Sequence, residues 1–503
     1  IVQNSYVQQG IAGLDDIFKT GYLNGFNGES FSYRPVPLVS FALEQQLFEL
    51  KPFTSHFIQL LIYSLLVFMV LKLVAAWFPS LRKELLWAIV LLFLVHPIHT
   101  EVVANLKSRD ELLAALFVTG TLWLLVAGVE KPSIRLIALT FVSSLLAFLS
   151  KESAIALLLI APLSLRMLKN KEWKRVLVSS AGIFLAASFY LLLRLLTLAS
   201  GSLPQEQFLI NNAFIEADFL DRLGNSAVLF WMYIYKSLVP LNLTWDYSYS
   251  TLTLHGFNSL YSMLGLVFLV LSLILLIWKY KTLKTYLFMW LAFATFLATV
   301  LNLFVLIGAN FAERFLLLPS LFVVLTLVLI LQGLEQKVNL KKWVYPLLVI
   351  LMTFWFARTI DRVKDWESNE TLFAASLKTN PESARVQIAN GSIFREKAEA
   401  MPPSPKQELL YKKAIDHYEQ AIQILPSAFD AWYNKGVIFQ RTGSTDLALA
   451  DFQKAIEINP KHVNSHNNIG VIFFNRKELD RAEFHWKKAF ELQPNNPDVV
   501  GNL

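Results

Sequence analysis

Between residues 95 and 117 the chain runs V-H-P-I-H-T-E-V-V-A-N-L-K-S-R-D-E-L-L-A-A-L-F, placing His96, His99, Glu101, Arg109, Asp110 and Glu111 in a short gap between two apolar runs of membrane-spanning character. An ionisable group at bilayer depth costs several kcal/mol unless it lies at an interface or lines a watered cavity. A cluster of six in one gap therefore marks a functional site. The same residues also read as an ordinary hydrophilic turn between helices.

Outward from this gap the sequence remains apolar for some three hundred residues. Runs at about 57–78, 85–98, 112–129, 134–149, 153–168, 176–198, 223–240, 258–278, 283–307, 314–333 and 343–360 are each apolar, and several approach the twenty residues a helix needs to cross a bilayer. A hydrophobic content of 55% and a mean hydropathy of +0.47 over 503 residues agree: this is a polytopic membrane chain with a soluble part attached. The net charge of +7 does not indicate nucleic acid, because most Lys and Arg lie in short loops. No cysteine is present, which excludes disulfides, thiol catalysis and cysteine-bound zinc.

Basic residues gather around Arg82 and Lys83, Lys131 and Arg135, Arg166 to Arg175, Lys279 to Lys284, and Lys337 to Lys342, and these loops are expected on the cytoplasmic face. The loops near 170 and 280 share that face, so one of the three runs between them does not cross. The aromatic, Lys236-bearing run at 223–240 is the expected exception, interfacial or re-entrant, leaving ten crossings. Residues 1–56 form a loop-like first segment on the non-cytoplasmic side, and 57–360 form the membrane domain. Residues 361–503 return to the side of the first segment.

That last segment changes character. Ala421, Ala455 and Ala489 recur every 34 residues, as do Pro426, Pro460 and Pro494, and so do Gly436 and Gly470. This is the period of tetratricopeptide repeats, two helices per unit. An earlier, stretched repeat runs from about Ala384 to Pro426. The chain opens at Ile1 and stops inside a repeat, so both ends read as cut.

Four charged clusters fall at the same predicted end of the helices: Tyr33-Arg34-Pro35, His99 to Glu111, Ser150-Lys151-Glu152-Ser153, and Ala312-Glu313-Arg314-Phe315. The cations Arg34, Arg109, Lys151 and Arg314 suit a phosphate at headgroup level. His99, Glu101 and Glu111 are the candidate catalytic groups, with Glu152 and Glu313 in support, since carboxylates beside such a site suit general base work on an incoming hydroxyl. Taken singly, each cluster is also a local ion pair or a snorkelling anchor. The H-x-x-H-x-E spacing of His96, His99 and Glu101 could suit a metal, but Pro97 breaks helical register and no metal is assigned; His96 is expected to cap or pack. Asp15-Asp16 reads as acids in the first turn of a short helix. Asn434 and Asn468 hold equivalent first-helix positions in the repeats, where their amides could bind an extended peptide backbone. Asparagine is also simply frequent there.

Together Y-R-P (33–35), H-P-I-H-T-E (96–101), S-R-D-E-L-L-A (108–114), K-E (151–152), E-R-F-L-L-L-P-S (313–320) and W-E-S-N-E-T-L-F (366–373), running into the repeats, resemble the transmembrane and tetratricopeptide-repeat-containing protein family. The resemblance implies an all-α fold, a GT-C-like membrane domain followed by a tetratricopeptide solenoid. It implies protein O-mannosyl transfer from a polyprenyl-phosphate sugar, with the repeats on the luminal or periplasmic side. The family's acidic pair would precede Ile1, and Ser108-Arg109-Asp110-Glu111 stands where the family tends to have G-R-A-D. No cofactor is implied. The expected partners are the lipid-linked sugar, a protein acceptor held by the repeats, and membrane lipid. The rival readings are a membrane-anchored scaffold without catalysis, and a transporter, which would want its charges nearer the bilayer midplane.

Overall fold

The computed structural model describes residues 4–22, 32–198, 209–249, 254–338, 341–494 and 496–502; the side chains of Lys337, Lys341 and Lys342 lie outside the described set. Within it the chain is all-α. Each of the eleven apolar runs becomes a helix: α4 (Pro52–Trp77), α5 (Lys83–Leu94), α7 (Arg109–Gly128), α8 (Ile134–Ser150), α9 (Leu157–Met167), α10 (Trp173–Leu198), α11 (Phe219–Leu238), α12 (Leu260–Trp278), α13 (Tyr280–Ala298), α14 (Pro319–Val338) and α15 (Lys341–Asp365). A short helix, α6 (Thr100–Ala104), bridges α5 and α7.

Residues 1–56 depart from the loop-like expectation. They hold α1 (Ser5–Gln8), a 3-10 turn Gly10–Gly13, α2 (Leu14–Lys19) and α3 (Pro35–Phe48), packed round Val7, Ile17, Leu38 and Phe41. Glycine punctuation reads as loop in sequence, but tertiary burial of these four apolar residues overrides it. Asp15 and Asp16 do sit in the first turn of α2, and Lys19 pairs with Asp15 at 2.6 Å on the surface.

The ten crossings expected are not matched by ten helices of crossing length. Among the described residues five helices are long and apolar enough: Pro52–Trp77, Leu106–Gly128, Trp173–Thr197, Leu260–Trp278 and Trp343–Asp365, with α5 plus Pro97–Ala104 a sixth if the pair is one span bent by 42°. At 1.5 Å per residue α4 measures about 39 Å whereas α5 measures only about 18 Å. The short ones have identifiable causes. Pro97 ends the α5 direction and Pro162 sits inside α9, each removing a backbone donor. α11 is one continuous helix that turns Asn225, Ser226, Lys236 and Ser237 inward, and it is not among the helices apolar enough to cross. The run at 283–307 stops as a helix at Ala298; Asn302, at φ 58°, accepts Ile307 N–H at 2.9 Å and donates to the Ala309 carbonyl at 2.9 Å, building a loop from residues that read as helix.

The membrane character shows in what faces outward. α12 buries only Ser262 and Gly265 and turns Phe268, Leu271, Ile274 and Leu275 out, a pattern that requires lipid. The chain is a multi-pass membrane protein. Small residues draw helices together: Gly182 on α10 lies against the Ile137 carbonyl and Thr140 of α8, where a Cβ would collide.

The basic loops meet at one end of this body. Arg82 Nη1 reaches Glu335 at 3.0 Å, Lys169 Nζ the Ala76 carbonyl at 2.7 Å, Arg175 Nη1 reaches Glu130 at 3.4 Å, and Lys284 Nζ reaches Asn170 at 2.6 Å. The repeats leave from the other end as α16 (Asn369–Thr379), α17 (Ala384–Glu399), α18 (Pro405–Ile424), α19 (Phe429–Arg441), α20 (Thr445–Ile458), α21 (Val463–Asn475), α22 (Leu479–Leu492) and α23 (Pro497–Val500). The 34-residue period is the packing period. Ala421, Ala455 and Ala489 are fully buried, and Gly391, Gly436 and Gly470 each lie against an aromatic ring of the following helix, Tyr418, Phe452 and Trp486.

Candidate active site

The site is built at the end of the body opposite the basic loops, from four separate breaks in helical structure. Arg34 is the residue before Pro35, non-helical at φ −134° and ψ 67° at the start of α3. Lys151 ends α8 in extended backbone, at φ −160° and ψ 139°. Arg314 lies in a 3-10 turn, Glu313–Leu316, ahead of α14, and Glu101 lies in the first turn of α6. Chain breaks free side chains from the helix ladder and let them converge.

They form nearly one network. Arg34 donates through Nε to Glu152 Oε2 and through Nη1 to Asp110 Oδ2, both at 2.7 Å. Asp110 also faces Lys151 at 3.7 Å, and Lys151 donates to Glu111. Lys151 and Arg314 both lie over the Phe315 ring, 5.4 and 4.9 Å from its centre. Arg314 gives Glu101 two hydrogen bonds, from Nη1 at 2.7 Å and from its backbone N–H at 2.9 Å. Three cations thus face four carboxylates. A crevice of about 30 Å³, room for water alone, opens beside them, lined by Glu111, Ser153, Arg314 and Phe315 at the polar end and by Ala115, Phe296 and Leu317 at the apolar end.

Not every residue expected here arrives. Arg109 is a correction: it is completely buried on the far side of α7, where it donates to Glu44 at 2.7 Å, Gln59 at 3.2 Å and the Ser55 carbonyl at 3.2 Å, and stacks 3.7 Å over Phe41. Adjacent helical residues point about 100° apart, so Arg109 and the pair Asp110 and Glu111 cannot all face one cleft. Its work is to hold α3 and α4 to α7.

His99 is a second correction. Expected in the cavity, it is buried against Phe93, with Nδ1 2.9 Å from Tyr63 Oη and Nε2 2.9 Å from Ser320 Oγ. His96 caps the following turn, accepting Ile98 N–H at 3.3 Å, and packs 4.2 Å from Trp355. Among the described residues no three His, Asp or Glu side chains are grouped to hold a metal ion.

Glu313 is the third. It turns away from Arg314 into a buried pocket, accepting Thr244 N–H at 2.7 Å and Tyr247 O–H at 2.8 Å, with Arg362 at 3.6 Å. Burial pushes its carboxyl up to about 7, against the pull of Arg362. The segment Thr244–Ser248 carries on to the repeats: Asp246 accepts from Ser383 Oγ at 2.8 Å and faces Arg385 at 3.4 Å, and Trp245 packs 5.3 Å from Phe373. Asn434 and Asn468 lie half-buried on α19 and α21, on the repeat array and away from the charged network.

Asp110 is the residue that sequence reasoning undervalued: it sits between Arg34 and Lys151. The signal was its place one step after Arg109 at a helix start, where the next residue faces a different neighbour.

Comparison with known proteins agrees with the two-part reading. Tetratricopeptide families match residues 429–462 ("Tetratricopeptide repeat"), 411–443 ("TPR repeat") and 452–484 ("Tetratricopeptide repeat"). Protein O-mannosyl-transferase TMTC3 of Mus musculus is 25% identical over 470 residues, covering 86% of this chain and 50% of its own length. Protein O-mannosyl-transferase F38B6.6 of Caenorhabditis elegans is 24% identical over 412 residues, 79% of this chain and 54% of its own. The chain spans about half the length of the curated relatives it matches. Among solved structures, the crystal structure of MamA aligns at 18% identity over 33% of this chain and 85% of that one, with a TM-score of 0.21.

Proposed function

We propose that this chain carries the membrane domain and first repeats of a glycosyltransferase that moves a mannose from a polyprenyl-phosphate carrier to a hydroxyl of a protein acceptor, on the face opposite the basic loops. The observation that carries this reading is the convergence of Arg34, Lys151 and Arg314, from residues nearly three hundred apart, with four carboxylates at one end of an apolar helical body. The similarity to protein O-mannosyl-transferases over most of the chain supports it.

In this reaction the acceptor oxygen attacks the anomeric carbon, the bond from that carbon to the phosphate oxygen breaks, and the lipid phosphate leaves with the electron pair. Arg314 and Lys151, both against Phe315, meet the charge that grows on the leaving phosphate. Glu111 lines the crevice and takes the hydroxyl proton; Glu101 positions Arg314 from both its guanidinium and its backbone. Each cation is already paired, so an arriving phosphate takes the place of a carboxylate and the crevice widens on binding. The lipid and the repeats lie on the luminal or periplasmic side, because basic loops favour the cytoplasm.

The test is transfer of labelled mannose from a mannosyl-phosphoryl-polyprenol to a Ser/Thr peptide by the purified protein in detergent. Transfer abolished by Lys151→Met supports the reading; no transfer by the wild type, with folded repeats, leaves the membrane-anchored scaffold as the better account.

A further inference from the structure

A second cleft, of about 250 Å³, lies where the loop after α11 meets the first repeat helices. Its walls are Trp245, Ile388, Ala389 and Phe429, and Arg385 and Asp430 stand on its rim. It is smaller than the roughly 300–1,000 Å³ of a small-molecule site. Such a volume suits one or two side chains of a chain passing through. The polar groups match a peptide bond on both sides. The Trp245 indole N–H is buried without a hydrogen-bond partner, and Arg385 contacts Asp246 at 3.4 Å through one of several donors, so both can give to a carbonyl. The Asp430 carboxylate can accept from an amide N–H. One cation and one anion at the rim leave the ligand neutral.

Trp245 follows Thr244, whose N–H holds Glu313, and stands two residues before Tyr247, whose O–H holds the same carboxylate.

We infer that the Trp245–Arg385–Asp430 cleft binds an extended, uncharged segment of the acceptor polypeptide through its backbone, with an aliphatic or hydroxyl side chain against Ile388, Ala389 and Phe429. The ligand's identity as acceptor rests on the glycosyl-transfer reading; the binding itself does not. It adds a subsite nearer the membrane than Asn434 and Asn468.

The test measures binding with no sugar donor present. A fluorescein-labelled peptide of alternating Thr and Val is titrated into the whole protein in detergent, followed by anisotropy. Ala389→Trp fills the cleft and Asp430→Ala removes the acceptor; each is expected to weaken binding at least about tenfold, a loss of about 1.4 kcal/mol. Lys412→Trp, on an exposed helix face, is expected to bind as wild type. Peptide binding by Ala389→Trp and Asp430→Ala equal to wild type overturns the inference, as does a wild type that does not bind. Cleft-dependent binding without any sugar transfer overturns the catalytic reading and leaves the cleft standing.

Discussion

Replacing Glu101 by glutamine separates a site from a fold. The carboxylate is 3% exposed and receives two hydrogen bonds from Arg314, whose own side chain remains 31% exposed. Glutamine keeps the shape but offers one acceptor where there were two, and sets an NH₂ group against a guanidinium or a backbone N–H. Breaking a fully buried pair costs about 3–5 kcal/mol, while an exposed one costs up to about 1 kcal/mol. With one partner buried and one reaching solvent, the stability loss falls at about 2 kcal/mol. The catalytic loss is larger, because Arg314 loses one of the two anchors that aim it. If its aim is worth about 3 kcal/mol at the transition state, transfer falls roughly a hundredfold. The assay pairs mannose transfer with a thermal melt of the same preparation. A Glu101→Gln protein that folds and transfers mannose within about twofold of wild type refutes the positioning role.

Further outcomes follow from other contacts. Arg109→Ala strands Glu44, 1% exposed, and is expected to destabilise by about 3–5 kcal/mol without touching the site, whereas Arg314→Ala, which leaves Glu101 (3% exposed) its backbone donor, costs about 2 kcal/mol and abolishes transfer; thermal midpoints and transfer rates of the two distinguish a tie from a site residue. Gly470→Ala places a methyl 2.5 Å from the Trp486 indole nitrogen and is expected to cost about 1–3 kcal/mol, read as a lower melting temperature of the repeats. In those repeats His462 and His485 are held down to about 4, chiefly by burial and then by His466. The unfolded chain takes up protons near pH 6.5 while the folded one does not. Repeat stability is therefore full above about pH 6.5 and falls as pH drops toward 4, and His485→Gln flattens part of that slope in melts at pH 5 and 7.5.

The fold was legible to the extent that single periods carry it. The 34-residue spacing of Ala421, Ala455 and Ala489 located the repeats because one small residue per unit fits between packed helices. The apolar runs located eleven helices because lipid demands apolar surface all round, but not which helices have crossing length, which depends on breaks at Pro97, Pro162 and Asn302. The site was legible as a depth and not as a list. Arg34, Lys151, Arg314, Glu101, Glu111 and Glu152 converge as their positions at helix ends predicted. Arg109, His99 and Glu313 do not, because each points to a partner (Glu44, Tyr63, Tyr247) whose place is set by tertiary packing. Side-chain direction at a helix start turns by about 100° per residue, and sequence alone does not say which neighbour each direction meets.

The central claim is that Lys151 and Arg314 hold the phosphate of a lipid-linked sugar. Its most direct measurement is the affinity of the purified protein for a mannosyl-phosphoryl-polyprenol, wild type against a Lys151→Met, Arg314→Ala double variant whose thermal melt matches. The predicted result is binding weakened about a hundredfold, about 2.7 kcal/mol; equal affinity in the two proteins contradicts it.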